Sequence, residues 1–245
     1  MQVRIIGAGA SGLTAAYFLR KAGYSVEVEE RELGPGGMIQ TSREPLGLRE
    51  SAANAFVNSH WIEQISADIG IELVAPLRSA RARFIFRGRP RRWPLNFLET
   101  IVLAKKALAT RVLSPDGFGA RPRETIATWG KRCLGSPSVD YLLGPALGGI
   151  YAGPPEELSA SLILASLKEA RLSAVGLKRH GSVAPREGMG EFMKKLADWL
   201  TGNGAKISYG KEAGALIPGP GEKVVVATSL ADATEILGRS FPQAS

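Results

Sequence analysis

Three glycines, Gly7, Gly9 and Gly12, stand in the run GAGASG, and Glu30 follows 18 residues after the last of them. Glycines at this spacing suit a bound pyrophosphate. The first permits a tight turn, the second lets the backbone approach the phosphates, and the third lets a helix pack closely on the strand before it, with the anion at the helix N-terminus. Ala10 and Ser11 belong to the same loop and count as ligand contacts with it. Glu30 is placed to accept hydrogen bonds from ribose hydroxyls, with Arg31 beside it, and an acid there favours an unphosphorylated adenosine ribose. A second cluster, GPGGMIQTS, follows at once and read alone is a surface loop.

Such a glycine run has meaning only between a strand and a helix. Val3 to Ile6 is a short apolar run ending in glycine, Leu13 to Lys21 has helical character until Gly23 stops it, and Tyr24 to Glu29 alternates with Val26 and Val28 on one face. Strand, glycine turn, helix and strand predict an α/β fold of the Rossmann-like, doubly wound kind. Asn58 to Ile69 reads as an amphipathic helix, and Arg81 to Phe86 as a strand leading into a turn at Gly88 to Pro90. Helices are then expected over Leu95 to Leu113, Thr125 to Leu134, Ser138 to Leu147 and Ser159 to Leu172, followed by a loop from Ser173 to Arg186. The α/β pattern resumes with a helix at Glu191 to Leu200, strands at Ala205 to Ser208 and Lys223 to Ala227, and a helix from Ala231. The expected domains are therefore 1–75 and 184–245 as two parts of one nucleotide-binding domain, with 76–183 as an inserted, mainly helical one.

The 245 residues, 44% hydrophobic and 22% charged, have a globular composition. A net charge of +8 favours an anionic partner: a carboxylate, a phosphate, an acidic lipid surface or nucleic acid. No nucleic-acid recognition motif accompanies it, so nucleic acid is not expected. One cysteine, Cys133, and two histidines, His60 and His180, exclude a disulfide framework and make no case for a metal site. Met1 leads directly into QVRIIGAG without the features of a secretory signal, and no apolar run approaches the ~20 residues of a membrane span. The expected location is cytoplasmic, with room for peripheral attachment to a membrane surface.

Taken together, GAGASG, Glu30 and the glycine pair Gly36–Gly37 resemble the FAD-binding segment of the flavin amine oxidase and protoporphyrinogen oxidase superfamily. The resemblance implies that the glycine pair lies along the flavin side of FAD. Met38 stands where amine oxidases often carry arginine, and Glu50 falls where the superfamily repeats an acid before a small-residue stretch. Four later stretches, ARFIFRGRPRRWP, GGIYAGPPEELSASL, PREGMGEFMKKLADWL and KVVVATSLADATEIL, resemble protoporphyrinogen oxidase in that family's order.

The resemblance implies that FAD takes hydride equivalents from a tetrapyrrole in haem biosynthesis and that oxygen reoxidises the flavin and is reduced to peroxide, with no catalytic side chain and no metal required. It assigns Arg83 to a substrate propionate, for which a planar, permanently charged guanidinium is suited, with Arg87 of the same strand parity as understudy. The surrounding arginines also read as a solvated basic edge. Tyr151, Ala152 and Gly153 read either as pocket lining, with Tyr151 and Gly153 touching substrate, or as a packed turn. Residues 94–113 read either as an interfacial helix for an anionic membrane or as a domain-packing helix. The family is longer than this chain, and the part that closes the cofactor site in the family reads here as a partner chain, as a missing C-terminal segment of a truncated gene product, or as an evolutionary loss. Other readings are an FAD-dependent amine oxidase or desaturase, and a non-catalytic nucleotide-binding module.

Overall fold

The structure, a computed structural model, describes residues 1–78, 84–114, 117–172, 181–214, 216 and 218–241. In chain order the elements are β1 (Gln2–Ile6), α1 (Ala10–Lys21), β2 (Ser25–Glu29), β3 (Thr41–Glu44), β4 (Gly47–Glu50), β5 (Phe56–Val57), α2 (His60–Asp68) and β6 (Leu73–Val74). There follow β7 (Ile85–Arg87), β8 (Arg89–Arg91), α3 (Phe97–Leu113), α4 (Ile126–Cys133), α5 (Ser136–Ser138), a π-helical turn (Val139–Leu143), α6 (Gly144–Tyr151) and α7 (Ala160–Leu172). The chain continues through β9 (Ser182–Pro185), α8 (Met189–Gly202), β10 (Lys206–Ser208), β11 (Glu222–Val226) and α9 (Leu230–Ser240). Residues 1–76 and 179–245 form one compact unit and residues 77–178 another.

The first unit is built on a four-stranded parallel sheet of order β10-β2-β1-β11. Ile5 of β1 sits opposite Val28 of β2 and Val225 of β11. Period-two alternation decides what each face buries. Val3, Ile5, Val26 and Val28 join the main core with Leu13, Ala16 and Tyr17 of α1 and Phe192, Met193, Leu196, Ala197 and Leu200 of α8. The α8 residues recur at helical spacing, so one stripe faces the sheet, and each large side chain fully withdrawn from water contributes about 1.5–3 kcal/mol. The other face carries Ile6 against Ala213, Leu216 and Ile236 of α9, together with the ionic run Arg4, Glu29 and Glu222. Glu29 is buried there, and Lys211 from the 209–219 connection supplies its counter-charge.

The second unit is held by Ile126, Trp129 and Cys133 of α4 packed on Ala160 and Ile163 of α7. Thr125 caps α4 through a reciprocal pair with Thr128, an arrangement that typically stabilises a helix start by about 1 kcal/mol. A Cβ on Gly130 would lie 2.6 Å from Val139 Cγ2, so glycine there lets the π-helical turn lie against α4.

Three expectations are corrected. α1 begins at Ala10 rather than Leu13, because the second half of GAGASG already forms the first turn of the helix. The segment expected to be a loop up to Arg186 contains β9, which pairs antiparallel with β5 and with β6. β9 is fixed by these distant partners rather than by a local pattern. The helix expected over Ser138 to Leu147 is a composite running from Ser136 to Tyr151, with a π-helical turn inside it.

Candidate dinucleotide-binding site

β1 delivers the chain to the C-terminal edge of the sheet, where ligands of doubly wound folds bind. The Gly7 amide donates to Glu29 O at 2.8 Å, and the Ala227 amide donates to Ile6 O at 2.8 Å, so the loop is wedged between the ends of β2 and β11. Gly7 has φ +105°, and a Cβ on it would meet Ala227 O at 2.8 Å. A Cβ on Gly12 would drive into the Gly7 carbonyl oxygen. These two glycines are required by the protein itself.

Gly9 is different. It caps α1 with an ordinary extended backbone, its Cβ position has no atom within 4 Å, and no side chain caps the helix. The first amides of α1, which include those of Ala10, Ser11 and Gly12, lack intrahelical acceptors. No acidic residue in the first turn competes for them. A helix N-terminus left open above a glycine with free space beside it fits a diphosphate.

Glu30 is 8% exposed and fixed by backbone. Its Oε2 accepts the Ala8 amide at 2.5 Å and its Oε1 accepts the Glu32 amide at 2.8 Å. A carboxylate has about four acceptor positions, so two remain for ribose hydroxyl donors. Arg31 turns outward to Asp232 at 3.4 Å and Glu32 at 3.5 Å. The Asp232 charge, foremost, raises the Arg31 pKa, and the Ser229 hydroxyl does most to lower that of Asp232.

The second glycine cluster lies directly against the first. The Gly36 amide donates to Ala8 O at 2.8 Å, Gly36 bridges Gly9 in parallel, and the Cβ position of Gly37 is 3.4 Å from the Gly9 Cα. The structure therefore brings Gly7, Gly9, Ala10, Ser11, Gly12, Glu30, Gly36 and Gly37 to one place. The Met38 side chain stands in solvent, 84% exposed, while its carbonyl accepts Ser51 Oγ at 2.6 Å.

Of the residues expected to hold substrate, Arg83 lies outside the described residues. Arg87 is committed within its own unit: it forms a bidentate pair with Glu99 at 2.6 and 2.9 Å, donates to Pro94 O at 2.9 Å and lies 3.5 Å from the centroid of the Tyr141 ring. The Glu99 hydrogen bonds, first among several causes, raise its pKa, and reciprocally lower that of Glu99. Tyr151 ends α6 half-exposed, Ala152 caps it with φ 52°, and Gly153 lies against Leu158, with its Cβ position 3.4 Å from Leu158 Cδ2.

Two open clefts, of about 360 Å³ and about 320 Å³, are lined by charged side chains including Arg43, Glu187, Glu191, Lys194, Glu72 and Arg186. Neither is lined by a residue of the glycine loops, and their ion pairs Arg43–Glu187 and Arg186–Glu72 are solvated. The candidate site is described by its backbone geometry. Sequence reasoning did not find Thr41, whose hydroxyl binds Glu50 at 2.6 Å and the Gly190 amide at 2.7 Å; the paired glycines Gly188 and Gly190 were the available signal. Among the described residues, no group of three or more acidic, histidine or cysteine side chains could hold a metal ion.

The family model for an NAD(P)-binding Rossmann-like domain matches residues 5–67. Protoporphyrinogen oxidase 2 of Arabidopsis thaliana is 27% identical over 172 residues, covering 64% of this chain and 34% of the relative. Coproporphyrinogen III oxidase of Staphylococcus aureus is 26% identical over 186 residues, covering 68% of this chain and 40% of the relative. A proposed protoporphyrinogen oxidase from Exiguobacterium shares the fold with TM-score 0.66 at 18% identity, over 96% of this chain and 61% of that one. The chain thus spans between a third and two fifths of the length of these two curated relatives. With the glycine loops and Glu30 arranged as described, the chain carries an NAD(P)-binding Rossmann-like segment and is similar to protoporphyrinogen and coproporphyrinogen oxidases, and the dinucleotide its loops fit is FAD.

Proposed function

We propose that this chain holds FAD in an oxidoreductase that oxidises a porphyrinogen to a porphyrin, with oxygen as the acceptor, in haem biosynthesis. The observation that carries the reading is the joined pair of glycine loops: Gly9, open to a diphosphate, lies directly beside Gly36 and Gly37, and buried Glu30 is fixed at the same place. The porphyrinogen oxidase relatives support the substrate class. When bound, the flavin would supply the oxidation in two-electron steps, three of them per porphyrinogen, each returned to oxygen as one peroxide. The chain's own contribution is to seat it: α1 presents its first amides to the diphosphate, Glu30 orients the ribose, and the Gly36–Gly37 backbone allows close approach on the flavin side. Arg83 keeps its role as the arginine that pairs with a substrate carboxylate.

The test is direct. Purified protein should carry oxidised-flavin absorbance and release peroxide when given protoporphyrinogen or coproporphyrinogen. Flavin uptake with peroxide formed from amines or polyenes, and none from porphyrinogens, would move the reading to an amine oxidase or desaturase. Protein unable to take up FAD would end the enzymatic reading.

Peripheral attachment to an anionic membrane belongs to the same proposal. Phe97, Leu98, Leu108, Val112 and Leu113 of α3 are exposed, among the exposed cations Lys105, Lys106 and Arg111. An apolar surface flanked by cations suits an acidic bilayer. Among the described residues no helix is long and apolar enough to cross a membrane. Co-sedimentation with phosphatidylglycerol vesicles and not with phosphatidylcholine vesicles is the expected result.

A further inference from the structure

α8 begins without a cap of its own. Its N-cap is Gly188, at φ +100°, with no side chain to accept the orphan amides of the first turn. The acceptors come instead from the β3–β4 hairpin, far away in sequence. Glu50 Oε1 accepts the Met189 amide at 3.0 Å, Thr41 Oγ1 accepts the Gly190 amide at 2.7 Å, and the Thr41 hydroxyl donates to Glu50 Oε2 at 2.6 Å. A carboxylate at the positive end of a helix dipole strengthens the arrangement. Closeness is enforced by glycine: a Cβ on Gly188 would lie 2.5 Å from Thr41 Cγ2 and 2.9 Å from Glu50 Oε1, and one on Gly190 would lie 2.7 Å from the Thr41 amide nitrogen.

The same helix reaches the flavin-side glycines one turn later. Met193 Cβ lies 3.2 Å from the Cβ position of Gly36, whose amide is already bound to Ala8 O. The stretch from Gly36 to Thr41 is therefore pinned at both ends, to the phosphate loop and α8 at one and to the start of α8 at the other. Ser51 braces its middle: its Oγ donates to Met38 O at 2.6 Å and accepts the Gln40 amide at 2.9 Å, while its amide donates to Gln40 O at 2.9 Å. The adenosine side is fixed by separate residues, Gly7, Gly9 and Glu30.

We infer that Thr41 and Glu50 are positioning residues for the flavin half of the cofactor: by clamping the β3–β4 hairpin onto the first turn of α8, they set the backbone of Gly37 and Met38 against it. The inference rests on the FAD assignment. The clamp acts through α8 and the loop, and it leaves the adenosine half alone.

The experiment compares FAD with ADP, which carries only the adenosine and diphosphate, by calorimetric titration of protein freed of bound flavin. Thr41→Val keeps the shape and removes both hydrogen bonds, and Glu50→Ala removes the charge. Each should weaken FAD binding about tenfold, the loss of one charge-assisted hydrogen bond, while ADP affinity stays within about twofold, near the measured scatter of distant, uncoupled sites. Thr41→Ser should restore FAD affinity. Gly190→Ala, which attacks the clamp from the helix side, should reproduce the FAD-selective loss if the hairpin variants prove too unstable to titrate. FAD and ADP affinities falling together, or FAD affinity unchanged in folded Thr41→Val or Gly190→Ala, would overturn the inference and leave the FAD assignment standing. Wild-type protein that binds ADP but not FAD would overturn both.

Discussion

Glu30 Oε2 lies 2.5 Å from the amide nitrogen of Ala8, so the acid at the end of β2 closes on the glycine loop at the end of β1. Ala8 is fully buried, so its amide depends on this acceptor. The same carboxylate that would meet the ribose thus also shapes the loop that would meet the phosphates.

Glu30→Ala should therefore act twice. Leaving the buried Ala8 amide without an acceptor should cost about 1–3 kcal/mol of stability, and FAD affinity should fall at least about tenfold. Thermal melting of the flavin-free protein and FAD titration separate the two effects. A variant with unchanged melting temperature would contradict the structural role.

Gly9 and Gly12 should respond oppositely to alanine. Gly9→Ala introduces a Cβ into open space at a backbone conformation alanine adopts, so stability should stay within about 1 kcal/mol of the parent while FAD binding is lost. Gly12→Ala pushes into the Gly7 carbonyl oxygen and should prevent folding of the first unit. Circular dichroism and flavin absorbance together give the answer. Gly9→Ala protein that remained yellow would show that the diphosphate does not pass over this position.

Arg87 and Arg83 should likewise part company. Arg87→Ala breaks the Glu99 pair and the stack on Tyr141, so it should lower the melting temperature and leave an uncompensated carboxylate. Arg83→Ala should instead raise KM for a carboxylate-bearing substrate with little effect on melting. A selective KM effect from Arg87→Ala would reverse the assignment.

The pair Glu124–Arg132 makes a prediction about acid stability. Hydrogen bonds from Arg132, at 2.9 and 2.7 Å, are the main cause of a lowered Glu124 pKa, against a desolvation effect that raises it. Because the folded pKa lies below the unfolded one, the contribution is fully present above the ordinary value of 4.5 and disappears as pH falls through the folded value. Glu124→Gln should therefore melt below the parent at pH 7, with the gap narrowing as the pH falls below about 4.5 towards 3. A gap that is constant over that range would show that the ion pair contributes nothing beyond packing.

The dinucleotide loop was legible because every part of it is local. A strand, three glycines, a helix and an acid lie within the first thirty residues, and each has a backbone or hydrogen-bonding reason to be what it is. The same local logic gave the main helices, whose apolar stripes recur at their own period. β3 and β4 carried no such signal: Thr41–Glu44 and Gly47–Glu50 are half-buried or exposed throughout and bury no alternating face. Arg87 looked from its parity like a substrate ligand, and only the folded second unit shows Glu99 and Tyr141 already holding it.

The sequence by itself determined the glycine turn after β1, because the tight turn at Gly7 and the close packing at Gly12 leave no room for a Cβ. Only the tertiary structure decided how the loop of the second glycine cluster is held. The Gly190 amide and the Thr41 hydroxyl that receives it are 149 residues apart, and no local preference records a hydrogen bond between groups that meet only after folding.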